Sequence, residues 1–228
     1  MKDNRVYSVA IDGPAGAGKS TMAKCLARKL GFVYVDTGAI YRTVGYHMNL
    51  MGIGPRDKDG VERLLDDVNL KITYGDDGSQ HMLLNGFDVT EEIRTPEMSK
   101  IASEISAQPA VREFLLDMQR DIARTHNVIM DGRDIGTVVL PQADVKIYLT
   151  ASARIRAERR MKEQEAKGQK QSFEKVLQEI EARDHQDMTR AIAPLKQAKD
   201  AVLLDTSELN LEESVAAMEA IIAQRIPL

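Results

Sequence analysis

The chain has 228 residues, a formal net charge of -4, one cysteine and no tryptophan. This length suits one domain with an insertion, or two small ones. The acidic balance argues against general nucleic-acid binding, and a single cysteine excludes an internal disulfide and a four-cysteine zinc site. No apolar run approaches a membrane span and the N-terminus lacks a signal-peptide core, so a cytosolic location is the expectation. Anionic ligands must be held by local clusters of arginine.

The first element is an apolar strand, Val6 to Ile11. It runs into Gly13-Pro14-Ala15-Gly16-Ala17-Gly18-Lys19-Ser20-Thr21, which fits the phosphate-loop pattern G-x-x-x-x-G-K-[ST]. Met22, Cys25, Leu26 and Leu30 follow at helical spacing, and Gly31 stops the helix. Glycines let successive backbone N–H groups turn inward around phosphate oxygens at a helix N-terminus. Lys19 is expected to reach the outer phosphates of a nucleoside triphosphate, with the Ser20 hydroxyl on Mg²⁺. Cys25 reads as a small hydrophobe buried in this helix.

Phe32 to Asp36 reads as a second strand, Thr37-Gly38 as a turn, and Ala39 to Leu50 as a helix with Tyr41 and Arg42 in its first turn. A position just beyond a strand end is where open α/β sheets bind ligands. A turn-rich loop, 52–59, leads to a short helical pattern ending at Leu65. Val68, Leu70, Ile72 and Tyr74 then alternate with polar residues, as in a half-buried strand. After the turn 75–79, His81 to Leu84 is another strand, and Asn85-Gly86 signals a hairpin before Phe87-Asp88-Val89. This antiparallel meander reads as an inserted subdomain that closes over a substrate. Pro96 to Ala107 and Pro109 to Arg124 read as helices with proline near their starts, and they carry Ser103 and Arg112.

Asn127 to Asp131 is a third parallel-type strand, followed by Gly132-Arg133-Asp134-Ile135-Gly136. An apolar strand ending in Asp is the usual shape of the second acidic element of P-loop proteins, so Asp131 is expected to neutralise Mg²⁺, directly or, as favoured here, through water. Val145 to Leu149 is a fourth strand. The basic run Arg154, Arg156, Arg159, Arg160 and Lys162 comes next, with Arg156, Arg159 and Arg160 on one helix face. Together with the charged stretch 163–172 it reads as a lid over phosphates. The next helix has an apolar stripe of Phe173, Val176, Leu177 and Ile180, whose continuation carries Arg183, Asp187 and Arg190. Charges on a buried stripe are paired or face a ligand. Arg183 and Asp187 at i, i+4 fit a plain salt bridge, whereas the second arginine favours an anion site. Val202 to Asp205 is a fifth strand, and Leu211 to Ile226 a closing helix.

Five strands alternating with helices predict an α/β fold of the P-loop NTPase type. Its five-stranded parallel sheet is flanked by helices. The predicted core is residues 1–60, 126–152 and 173–228, with an inserted nucleotide-binding subdomain at about 61–125 and a lid at about 153–172. Two arginine groups, one by the P-loop and one gathering Arg42, Arg133, Arg183 and Arg190, suit a reaction between two phosphorylated molecules. A phosphate acceptor needs no strong base, and no histidine near the motifs is a candidate; His185 reads as incidental.

The segments GPAGAGKST, DTGAIYR (Asp36–Arg42), EEIRT (Glu91–Thr95), DGRDIGTVV (Asp131–Val139) and RAIAPL (Arg190–Leu195) resemble those of bacterial cytidylate kinases, in order and over nearly the whole chain. The resemblance implies phosphoryl transfer from ATP to CMP or dCMP. It implies that Arg42, Arg133, Arg183 and Arg190 hold the acceptor phosphate, with Tyr41 and Thr37 beside it. Thr37 stands where some relatives carry Ser, and it keeps the hydroxyl. Ser103, Arg112 and Asp134 would read the cytosine edge, and Asp187 the sugar or the base. A carboxylate accepting from the cytosine amino group rejects uracil, and either Asp134 or Asp187 fits that task. Arg156, Arg159 and Arg160 would stabilise the transferring phosphoryl group beside Lys19 and Arg133. The other readings are a kinase for UMP, AMP or shikimate, a nucleotide switch without an acceptor, and a nucleic-acid-binding ATPase. No long coiled-coil pattern appears, so a monomer is expected, with no membrane or nucleic-acid partner.

Overall fold

The computed structural model describes residues 5–166, 168 and 170–227. Its main sheet is built from β1 (Ser8–Asp12), β2 (Val33–Asp36), β6 (Val128–Gly132), β7 (Val145–Thr150) and β8 (Val202–Asp205). The order is β2-β6-β1-β7-β8, and every pairing is parallel. These strands are short apolar runs because helices cover both faces of the sheet. On one face pack α1 (Lys19–Leu30) and α8 (Leu211–Ala223), around Met22, Leu26, Ile129, Ile147, Met218 and Ile222. On the other face α2 (Thr37–Leu50) and α5 (Pro109–Thr125) enclose Ala10, Val35, Ile40, Val44, Leu115 and Met130.

Between α2 and α5 lie α3 (Lys58–Leu65), the antiparallel sheet of β3 (Leu70–Tyr74), β4 (Gln80–Leu84) and β5 (Phe87–Asp88), and α4 (Pro96–Ile105). Leu70, Met82, Leu84 and Val89 of this segment join the same apolar cluster as Val35, Ile40 and Val44. The small sheet is therefore packed onto the core through α2. The hairpin turn is as expected, with Asn85 and Gly86 both at positive φ. Phe87 nevertheless points outward and is 76% exposed. The remaining helices, α6 (Ala153–Ala166) and α7 (Phe173–Thr189), pack through Ala157, Val176 and Ile180.

Helix starts follow local chemistry. Asp36 accepts the Ala39 N–H and starts α2 two residues earlier than expected, at Thr37. Thr95 caps α4 ahead of Pro96, and Asn210 with Glu213 forms a capping box on α8. Residues Ile135–Val139 form a π-helical turn that the sequence does not announce. Cys25 is exposed, not buried. Met22, Ala23, Leu26 and Ala27 take the inward face of α1, and position 25 falls on the opposite side of the helix.

Candidate active site

The carboxyl ends of β1, β2 and β6 lie side by side, with Asp12 opposite Gly132 and Asp36 opposite Asp131. A cleft of about 700 Å³ opens there. Its walls come from the P-loop, the start of α2, α4, the loop after β6, α6 and α7.

At the P-loop end, Gly13 has φ 153°, and an added Cβ would lie 1.9 Å from the Leu149 carbonyl oxygen of β7. Only glycine fits this approach. Gly16 and Gly18 take positive φ, and α1 begins directly after them. Residues Ala15 to Thr21 line the cleft; Gly13 and Pro14 lie behind it, their carbonyls each accepting from Lys19 Nζ at 2.8 Å. Lys19 is buried. Desolvation, with Arg133 nearby, pushes its pKa down to about 7. The Ser20 hydroxyl donates to Asp131 Oδ2 at 3.0 Å, and the Tyr34 hydroxyl to Asp131 Oδ1 at 2.7 Å. Burial raises the pKa of the Asp131 carboxyl.

At the other end the predicted arginines converge, and three of them, Arg42, Arg133 and Arg190, each pair with a carboxylate. Arg42 donates to Asp36 Oδ2 at 2.9 Å, and Arg133 to Asp187 Oδ2 at 2.7 Å. Asp134 is buried between Arg112 and Arg190, and Arg190 also donates to Ser106 Oγ at 2.9 Å. Thr37 donates to the Asp131 carbonyl at 2.7 Å. Burial pushes the Tyr41 hydroxyl up to about 12 and the Arg183 guanidinium down to about 10. Three buried polar atoms here, Arg42 Nε, Arg183 Nε and Ser103 Oγ, lack a hydrogen-bond partner. Buried groups rarely go unsatisfied without a reason, and all three residues line the cleft, although these atoms themselves are turned away from solvent. Asp187 pairs with Arg133, 54 positions away, and no Arg183–Asp187 bridge forms among the described residues.

The lid arginines divide. Arg159 and Arg160 line the cleft, and Arg159 donates to the Thr206 carbonyl at 2.7 Å. Arg154 is turned out to solvent. Arg156 is buried away from the cleft. It donates to Asp184 at 3.0 and 2.5 Å, to the Ala15 carbonyl at 3.0 Å and to the Ala151 carbonyl at 2.8 Å. The shared helix face expected for Arg156, Arg159 and Arg160 meets the back of the P-loop at one end and the cleft at the other. Arg156 thus ties α6 and α7 to the P-loop backbone, and it does not line the cleft. His185 is exposed and outside the cleft.

Sequence reasoning missed several groups. Arg94 and Ser106 line the cleft, and Asp184 holds Arg156. The chief omission is Asp12. It ends β1, and Asp131 stands one residue before the end of β6, so the same signal, an apolar strand running into Asp, was available. Its two oxygens accept from Ile135 N and Gly136 N, each at 2.7 Å, and this anchors the loop that carries Arg133 and Asp134. Burial pushes the Asp12 carboxyl up from 3.8 to about 6, against the pull of those two donors. Between about pH 4 and pH 6 the folded protein then binds this proton more tightly than the unfolded chain. Stability relative to Asp12→Asn is therefore greatest below about pH 4, and it falls by about 3 kcal/mol as the pH rises through about 6. Urea unfolding of both proteins across this range checks it; a difference that stays flat or grows with pH contradicts it.

A family model described as cytidylate kinase matches residues 9–224. A Carboxydothermus hydrogenoformans protein named cytidylate kinase is 52% identical over 217 residues, covering 95% of this chain and 97% of its own. One of the same name from Leuconostoc mesenteroides subsp. mesenteroides is 49% identical over 220 residues, covering 96% and 98%. Among solved structures, an uncharacterized protein from Eubacterium ventriosum aligns over 96% of this chain and 99% of its own. Its TM-score is 0.54 at 11% identity, a likeness of fold alone.

Proposed function

This chain belongs to the cytidylate kinase family, and from that premise we propose that it moves the terminal phosphoryl group of ATP to CMP or dCMP. The observation that carries the reading is one cleft with two cationic ends, Lys19 in the P-loop and Arg42, Arg133 and Arg183 opposite it. An oxygen of the acceptor phosphate attacks the terminal phosphorus of ATP, and the bond to the bridging oxygen breaks to leave ADP. The nucleophile is already an anion, so the protein's task is alignment and charge stabilisation.

Roles follow from position. The P-loop amides and Lys19 hold the donor phosphates. Leu209, Asn210, Leu211 and Ser214 line the cleft beside them, where the rest of the donor would lie. Arg42, Arg133 and Arg183 hold the acceptor phosphate, with Thr37 and Tyr41 behind them. Arg190, expected beside the acceptor phosphate, is tied instead to Asp134 and Ser106, and with Arg112, Ser103, Asp134 and Asp187 it faces the nucleoside. Arg159 and Arg160 approach the transferred group from the lid side. Arg156 supports the P-loop from behind.

One hydroxyl and one carboxylate, Ser20 and Asp131, meet at 3.0 Å. Among the described residues no group of three or more His, Cys, Asp or Glu gathers to hold a metal. That sparse set fits Mg²⁺, which keeps waters and phosphate oxygens as its other ligands. Bound there, Mg²⁺ would draw charge from the phosphates. Among the described residues no helix is long and apolar enough to cross a membrane.

The test is ADP release with ATP and Mg²⁺, offering CMP, dCMP, UMP, AMP or no acceptor. Turnover with CMP and dCMP far above the others is expected. Preference for UMP or AMP overturns the acceptor assignment, and release unaffected by any acceptor overturns the kinase reading.

A further inference from the structure

Gln80 is a buried glutamine, 6% exposed, at the first position of β4. Its amide meets the backbone of Asp36, at the end of β2 and 44 positions earlier in the chain. Gln80 Oε1 accepts from Asp36 N at 2.7 Å, and Gln80 Nε2 donates to the Asp36 carbonyl at 3.3 Å and to Met82 Sδ at 3.1 Å. A side chain that satisfies both the donor and the acceptor of one residue mimics a strand partner. It fixes Asp36 in position and in rotation.

Asp36 then acts on its own side chain's partners. Oδ1 accepts from Ala39 N at 2.9 Å and starts α2. Oδ2 accepts from Arg42 Nη2 at 2.9 Å. Both side chains lie close over Gly38, where an added Cβ would sit 3.0 Å from Arg42 Nη1 and 3.1 Å from Asp36 Oδ1, so the bare glycine leaves room for this pairing. Arg42 Nε stays buried and without a partner. The guanidinium is thus aimed into the cleft by a chain of contacts that begins in the small antiparallel sheet.

We propose that Gln80 is a positioning residue for the acceptor phosphate. It clips the inserted sheet to the β2–α2 junction and, through Asp36, sets the angle of Arg42. The acceptor side rests on the function proposed above. The donor phosphates lie on P-loop amides, to which Gln80 makes no hydrogen bond, so its effect belongs to the acceptor alone.

Gln80→Met keeps the length of the side chain and removes its hydrogen bonds. The KM for CMP is expected to rise about tenfold, the scale of one or two lost buried hydrogen bonds, with the KM for ATP unchanged. Gln80→Asn keeps the amide on a side chain one methylene shorter, so it reaches the Asp36 backbone less well, and its KM is expected to fall between those of the wild type and Gln80→Met; it carries the test if Gln80→Met does not fold. The Gln80→Met effect should also shrink in an Arg42→Ala background, because the two residues act as one unit. A lowered melting temperature with an unchanged KM for CMP means that Gln80 merely docks the sheet, and overturns the proposal. So does a full tenfold effect that persists without Arg42. If the wild-type chain leaves CMP untouched, the functional reading falls separately. Calorimetry with inorganic phosphate then decides the clip: weaker phosphate binding in Gln80→Met supports it, and equal binding overturns it.

Discussion

Lys19→Met is expected to lower kcat with saturating ATP and CMP about a thousandfold, while the melting temperature stays at or slightly above that of the wild type. The two halves of this result share one cause. Lys19 is held by the carbonyls of Gly13 and Pro14, with no carboxylate among its hydrogen-bond partners. Burial destabilises its charge enough to bring its pKa to about 7. The resting fold therefore carries a cation it would be no less stable without. That cation becomes favourable when phosphate charge arrives, and most favourable as charge shifts between the phosphates. Methionine fills the same channel and removes only the charge and two hydrogen bonds. Steady-state kinetics and a thermal melt on the same preparation check it. A kcat within tenfold of wild type, or a melt well below it, gives Lys19 a structural role instead.

Asp134→Ala is expected to destabilise the fold by about 3–5 kcal/mol, roughly a 10 °C fall in melting temperature for a chain of this size. Asp134 is 5% exposed and is the shared counter-charge of Arg112 and Arg190, whose side chains are 9% and 6% exposed. Removing it leaves two guanidinium groups close together, buried and uncompensated. Burial already pulls the Arg190 pKa down with Asp134 in place. Differential scanning calorimetry reads the loss directly, and a melt within 2 °C of wild type, on the order of 1 kcal/mol for a chain of this size, contradicts it. Activity tests on Asp134→Asn and Asp187→Asn add the specificity answer. The variant whose CMP-over-UMP preference collapses is the one that has lost the carboxylate accepting from the cytosine amino group.

The frame was legible in the sequence because its signals are local. Apolar strands buried on both faces read as continuous runs, the P-loop glycines sit between a strand and a helix, and Pro96 and Pro109 mark helix starts. The two arginine groups were also visible, since strand ends and helix faces fix where such residues emerge. The wiring between them was not. Asp187 turns to Arg133, Arg156 to Asp184, and Gln80 to the Asp36 backbone, over 54, 28 and 44 positions respectively. No periodicity encodes such partnerships. The helix face of Arg156 and the family resemblance both point to the transferred phosphoryl group, but the side chain is long enough to reach back to the Ala15 carbonyl. Residue type alone points Cys25 inward, and the helix phase set by Met22 and Leu26 decides otherwise.

Arg42, Arg112, Arg133 and Arg190 each already face an internal carboxylate. A guanidinium has N–H groups to spare, so a carboxylate on one side of it leaves others for a ligand. Each carboxylate thus acts as a brace, holding its arginine at a set angle before any nucleotide arrives. Little side-chain ordering is left to be done on binding, and the cost of organising the site is met during folding.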